Sequence, residues 1–326
     1  MHFIRYILKR LVYAAIILFF ILSFNFLIFR VMPGNPVGTL QSPNMTPEMK
    51  QLVAEQYGLD KPLKDQYFIY IKNLLKFEFG YSFQTRRPVK DEILERLPNT
   101  LLLLGTSTLL SMILGILMGI FAAARRGSVA EHLTIGSGLL AYSVPTFFLQ
   151  LLLLLAFAFF WPIFPIRGTM SIPPPTGFFP LLVDRLHHLA LPALSLTIIG
   201  AGSWALYTRN AMSDALCQDY ILTAKAKGLA PRRILYHHAF RSILPPIVTL
   251  FFLSLPGIIG GAVVTESIFS WPGVGRYLLS ATLEANYPAA QGAFYLIALA
   301  TLISNLVADL AYGLVDPRIR VGQGGH

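Results

Sequence analysis

One cysteine, Cys217, is the whole thiol inventory, so the chain forms no internal disulfide and builds no cysteine-rich metal site. Charge is scarce too. Only 13% of the 326 residues are charged against 55% hydrophobic, and the mean hydropathy is +0.60. That balance excludes a soluble globular domain and defines a membrane protein that crosses the bilayer repeatedly. Recognisable chemistry is missing as well. No GxxxxGK[ST] loop cradles a phosphate, and neither HExxH nor GxSxG occurs, so any uphill work draws its energy from another chain. The net charge of +10 sits in short loops beside apolar runs, where membrane topology accounts for it. No nucleic-acid motif accompanies it.

The first apolar run, 11–29, follows Arg5, Lys9 and Arg10 and is long enough to span a bilayer as a helix. Its length and the absence of a small-residue cleavage pattern make it a retained span rather than a signal peptide. Residues 33–97 have ordinary soluble composition and predict a small helical extracytoplasmic cap. The aromatics Tyr67, Phe68, Tyr70, Phe77, Phe79, Tyr81 and Phe83 serve either as its core or as a surface receiving a substrate or binding protein. A second span covers 99–124, where Ser107, Ser111, Gly115 and Gly119 fall four apart and predict a close helix contact.

A third span, 133–161, contains Pro145 and Gln150, which makes 142–150 either a pore-lining stretch or a packed kink. The proline-rich segment 162–188 is expected to cross the outer face in extended form. Its closing pair, His187 and His188, and the later pair His237 and His238 are poor chelators, because helical neighbours point about 100° apart. The remaining spans are 189–208, 242–265 and 287–308. Glu266 ends the fifth, and either meets a peptide's amino terminus at an outer gate or fixes the following turn. Asn305 and Asp309 share a face near the end of the sixth, to line a pathway or tie helices together. With both termini cytoplasmic, the short inner loops hold Arg125, Arg126, Arg209, Lys225, Lys227, Arg232, Arg233 and Arg241. The short outer loops hold only Arg167, Arg185 and Arg276, which supports that orientation.

Residues 218–246 form an island of charge between apolar runs, with small Ala224, Ala226 and Gly228 at a bend and Pro231 placed to open a second helix. The segment reads as a helix-turn-helix at the membrane surface, serving as a docking element or as an ordinary basic loop. Its TAKAKGL, RR and HAFRSILPP sequences resemble the cytoplasmic loop of ABC importer membrane subunits of the dipeptide and oligopeptide permease family. Leu222 stands where general importers have Glu, and the peptide branch resembles this TAxAKG variant. Further landmarks extend the resemblance over the whole chain: LKRL, RVMPGNPV, GLDKPL, FGYS, RRPV, GAVVTESIFSWPGVGR, NYPAAQG and VDPRIR.

The resemblance implies an all-α polytopic membrane protein of six transmembrane helices, the type I ABC importer permease fold. It divides into a first helix (1–32), the cap (33–97), a five-helix core (98–316) with its coupling loop at 212–241, and a tail (317–326). The implied role is the translocation pore of a peptide importer in a prokaryotic cytoplasmic membrane. Thr223, Ala224, Lys225, Ala226, Lys227, Gly228, Arg232 and Arg233 would couple it to the ATPase; Gln150, Glu266, Asn305 and Asp309 are pathway or gate candidates. Implied partners are a second homologous permease subunit, two ATPase subunits carrying the ATP and Mg, an extracytoplasmic solute-binding protein, the peptide and the lipid bilayer, with no nucleic acid. No cofactor or metal is expected on this chain. Nickel, glutathione or another small solute, or a non-transporting scaffold or sensor, stand as alternatives.

Overall fold

The computed structural model describes residues 2–31 and 61–315, and within them the side chains of 7–28, 61–254 and 263–310. The expected start of the cap at 33–60, the RVMPGNPV landmark beyond Val31 and the 317–326 tail lie outside these. Among the described residues the regular structure is helical, with one isolated antiparallel bridge between Tyr81 and Pro88. We number the helices in chain order. α1 is His2–Val31, α2 Leu63–Leu75, α3 Val89–Ala124, α4 Val129–Ser143 and α5 Thr146–Leu154, which widens into π-helical turns over Leu155–Phe160. α6 is Phe178–Leu216 and α7 Asp219–Ala226. The short α8, Pro231–Arg233, runs through π turns at Ile234–Ala239 into α9, Phe240–Ile268. α10 is Val274–Leu283 and α11 Tyr287–Val315.

Four of these helices, α1, α3, α6 and α11, are long and apolar enough to cross a membrane, and α4 with α5 makes a fifth if the bent pair is one span. α9 covers the fifth run expected from sequence.

Two compact units are present. The first draws on described residues within Met1–Thr100, Ile259–Ser267 and Pro272–Leu306. Its core joins Leu22 of α1, Tyr70 and Leu74 of α2, Phe79, Val89 and Ile93 to Val274 and Ala281 of α10 and Tyr287, Ala293 and Tyr295 of α11. Asn25, buried within the apolar run of α1, donates to the Tyr70 hydroxyl at 2.9 Å, so a polar group in a span is satisfied by the neighbouring helix. The aromatic cluster therefore divides: Tyr70 and Phe79 are core, whereas Phe68, Phe77 and Tyr81 are exposed.

The second unit holds the lower part of α3 with α4–α8 and most of α9. Here the small-residue stripe meets α6. A Cβ on Gly115 would stand 2.3 Å from the Trp204 Cβ, one on Gly119 2.7 Å from the Ala205 carbonyl, and Gly200 abuts Ser111. Gly138 of α4 and Gly202 of α6 touch backbone to backbone. Glycine is what allows such close helix approach.

Two sequence expectations are revised. Pro145 does not kink a continuous helix; it ends one. Val144, the residue before proline, is extended as proline sterics favour, and α5 departs at 99° to α4. The extended crossing is shorter than 162–188, because α6 begins at Phe178. The prolines at 173–175 stop short of it, and Pro180 lies in the first turn, where no intrahelical N–H is required. α3 runs continuously from Val89 into the second apolar run, its first turn carrying Asp91 and Glu92 where the helix dipole favours acids.

Candidate functional site

The charged island folds as its punctuation predicts. α7 presents Ile221 and Ala224, three apart, to a core formed by Met212, Ala215, Ile234, Ala239, Ile243 and Ile247. Pro231 is the first residue of α8. The Gly228 N–H donates to the Lys225 carbonyl at 2.9 Å and the Leu229 N–H to that of Ala224, closing α7 with Gly228 in the left-handed region at φ +72°. Thr223, Lys225, Ala226, Lys227, Gly228, Arg232 and Arg233 are all exposed, whereas Ala224 is buried. The inward-facing Ala224 is an anchor for the element, and the outward face is cationic with a gap: a Cβ added at Gly228 would meet nothing within 4 Å.

An ion pair with a buried carboxylate and a half-buried guanidinium stands beside this element. The Glu131 carboxylate of α4 accepts from Arg209 Nε at 2.6 Å, with Arg209 Nη2 also in contact, and from the Gly127 N–H at 2.6 Å. Ser128 caps α4 by accepting the Glu131 N–H at 3.2 Å. α6 is thus tied to α4 near the point where the chain enters α7. Sequence reasoning treated Arg209 only as a topological cation. The Ser128-x-x-Glu131 spacing signals the helix start, but nothing local links it to Arg209.

In the first unit Glu266 is completely buried, with its oxygens engaged. Oε1 accepts from the Thr100 hydroxyl at 2.6 Å, Oε2 from the Arg276 N–H at 2.8 Å, and the Gly275 N–H donates as well. Thr100 in turn accepts the Val274 N–H at 2.9 Å. The orphan N–H groups of the first turn of α10 are therefore satisfied by a carboxylate and a hydroxyl from other helices. The glycines make room: a Cβ on Gly273 would fall 2.1 Å from Oε1, and one on Gly275 2.9 Å from the Val263 backbone. Of the two roles open from sequence, the geometry is that of fixing the turn.

The other candidates are dispersed. Gln150 is buried on α5, Asn305 is exposed and Asp309 half-buried on α11. His187 pairs with the Ile163 carbonyl and His188 with that of Asp184. The rings of His237 and His238 stand at 87° to each other. Among the described residues no group of three or more His, Cys, Asp or Glu is arranged to hold a metal.

A helical membrane chain with a surface-lying, outward-facing cationic element has the parts of a transporter's membrane component, and relatives agree. Residues 115–321 match the family described as binding-protein-dependent transport system inner membrane component, and residues 3–104 match its N-terminal membrane component. The chain belongs to this family. It is 35% identical to the oligopeptide transport system permease protein AppB of Bacillus subtilis, covering 96% of this chain and 98% of that one. It is 37% identical to the di/tripeptide transport system permease protein DppB of Pseudomonas aeruginosa (91% and 93%) and 33% identical to the glutathione transport system permease protein GsiC of Escherichia coli K12 (97% and 99%).

Proposed function

We propose that this chain is the translocation-pore subunit of an ATP-driven importer of di- or oligopeptides, coupled to its ATPase through 218–241. The observation that carries the reading is the α7–α8 element, whose inner face is locked to the core by Ile221 and Ala224 and whose outer face offers Lys225, Lys227, Arg232, Arg233 and the open space over Gly228. An element so held transmits a push from a docked partner instead of absorbing it. The peptide substrate is supported by the names of the oligopeptide and di/tripeptide relatives.

In this reading the chain has six spans in the prokaryotic cytoplasmic membrane, with both termini inside and the 33–97 cap outside. It works with a second permease subunit, two ATPase subunits that bind ATP and Mg, and an extracytoplasmic binding protein. Thr223 and Ala226 flank the docking surface. Gln150, Asn305 and Asp309 are pathway or helix-contact residues, and Glu266 positions α10. ATP-dependent uptake of labelled peptides into proteoliposomes holding the full complex tests the reading. Peptide accumulation is expected; accumulation of nickel ions without peptide would move the substrate to a metal.

The Arg209–Glu131 tie gives a second expected outcome. Arg209→Gln leaves a buried carboxylate with only the Gly127 N–H, so α6 loosens beside the coupling element. Uptake per ATP hydrolysed should fall several-fold while membrane insertion persists, and Arg209→Lys should restore part of it. Unchanged coupling in Arg209→Gln would remove the tie from the transmission path.

A further inference from the structure

A cleft of about 270 Å³, lined largely by charged and polar residues, opens in the first unit, between the residues preceding and beginning α3 and one face of α10. Arg276, Tyr277 and Ser280 recur at helical spacing along α10 and, with Glu284 just past its end, supply that wall, and Arg96 of α3 faces them. The walls are braced. Asn286 donates to Ser82 Oγ at 2.8 Å, and its Oδ1 accepts the Phe83 N–H at 3.1 Å. Gln84 donates to the Glu284 carbonyl at 3.3 Å.

Arg96 is held rather than loose. Its Nη1 donates to the Glu92 carbonyl at 2.6 Å, and its guanidinium lies 4.5 Å over the Tyr277 ring. The Tyr277 hydroxyl donates to Glu92 Oε2 at 2.6 Å. Burial first, and the Glu92 carboxylate second, push this phenol well above its usual range, so it stays protonated and keeps the stack in place. Glu92 is thereby engaged by Tyr277. Among the described residues the Arg276 side chain has no ion-pair partner, and Arg96 has N–H groups beyond the one it commits.

Two guanidinium groups, one pre-oriented, with the Ser280 hydroxyl on the same wall as Arg276, form the donor set that a carboxylate fits. The volume is far more than a lone anion fills and accommodates the last residue or two of a peptide chain. We infer that this cleft receives the C-terminal carboxylate end of a short peptide on Arg276 and Arg96, with Glu284 at the rim disfavouring acidic side chains. The inference rests on the importer reading, and names a subsite within it.

The test uses the complete complex in nanodiscs without its binding protein, titrated with labelled dialanine and with dialanine amidated at its C-terminus. The free acid should bind at least about ten-fold more tightly than the amide, the scale of one charge-assisted pair. Arg276→Gln should erase the difference, and Arg276→Lys should retain part of it. Basal ATP hydrolysis by each variant complex reports that it has assembled. Equal binding of acid and amide, or a preference untouched by Arg276→Gln, would overturn the inference. So would loss of binding-protein capture in Arg276→Gln with peptide binding intact, which would make the cleft a partner surface. Peptide uptake by the wild-type complex with its binding protein is measured alongside. Uptake without a carboxylate preference sinks only the cleft, whereas absent uptake sinks the importer reading.

Discussion

Gly202→Val should deplete the folded protein from the membrane. A Cβ at position 202 would lie 2.2 Å from the Gly138 carbonyl oxygen and 2.9 Å from its carbon, so the obstacle is backbone, which has no rotamer to yield. α4 and α6 must separate along their contact. That strips packing from a helix pair held by close approach, the main attraction between helices in lipid. Overpacking of this kind costs about 1–3 kcal/mol, and more where backbone collides, against a total stability of about 5–15 kcal/mol. The monodisperse fraction on size-exclusion in detergent should drop sharply for Gly202→Val. Gly136→Val provides the matched comparison, since a Cβ there would meet nothing within 4 Å, and it should behave close to wild type. Equal yields of the two variants would mean that the α4–α6 contact is not a determinant of the fold.

Glu266→Gln should open the turn that begins α10. The amide keeps the shape of the carboxylate but replaces one acceptor by a donor. Whichever way it points, its NH2 faces the Thr100 hydroxyl or the N–H groups of Gly275 and Arg276. Leaving one buried donor unsatisfied costs about 1–3 kcal/mol, roughly a five- to 150-fold shift toward the open turn. Hydrogen exchange at the amides of residues 274–276 should accelerate by that factor, and peptide uptake should fall with it. A contact to the peptide's amino terminus would leave a different trace: weaker apparent affinity for peptide with amide protection unchanged. That second pattern would return Glu266 to the gate.

What was legible in the sequence followed from fixed local geometry. Small residues four apart lie on one helical stripe whatever surrounds them, and so Ser111, Gly115 and Gly119 announced the face that meets α6. Pro231 suited the first turn of a helix, and Gly228 suited the left-handed turn that closes α7. Pro145 was ambiguous because a proline either kinks a spanning helix or ends it, and the outcome depends on whether the preceding turn is held by neighbours; here Val144 went extended. Composition marked 162–188 as extended, yet only the part before Phe178 carries the breakers. Ala224 looked like a docking residue by motif and turned inward, because its phase with Ile221 is set by the core.

The tie between Glu131 and Arg209 joins positions 78 apart, and Thr100 meets Glu266 across 166. No local pattern encodes such pairs.

The central claim, that 218–241 transmits force from a docked ATPase, is tested most directly by ATP-dependent peptide uptake with Gly228→Asn. Asparagine tolerates the left-handed conformation that Gly228 adopts at φ +72°, so the turn survives. Its side chain enters space where this chain places nothing within 4 Å and where only a partner would be met. Gly127→Asn is the matched control, with φ +80° and equally open surroundings. The account predicts that Gly228→Asn inserts and assembles but loses most of its uptake per ATP hydrolysed, while Gly127→Asn transports normally. Wild-type uptake by Gly228→Asn would contradict it.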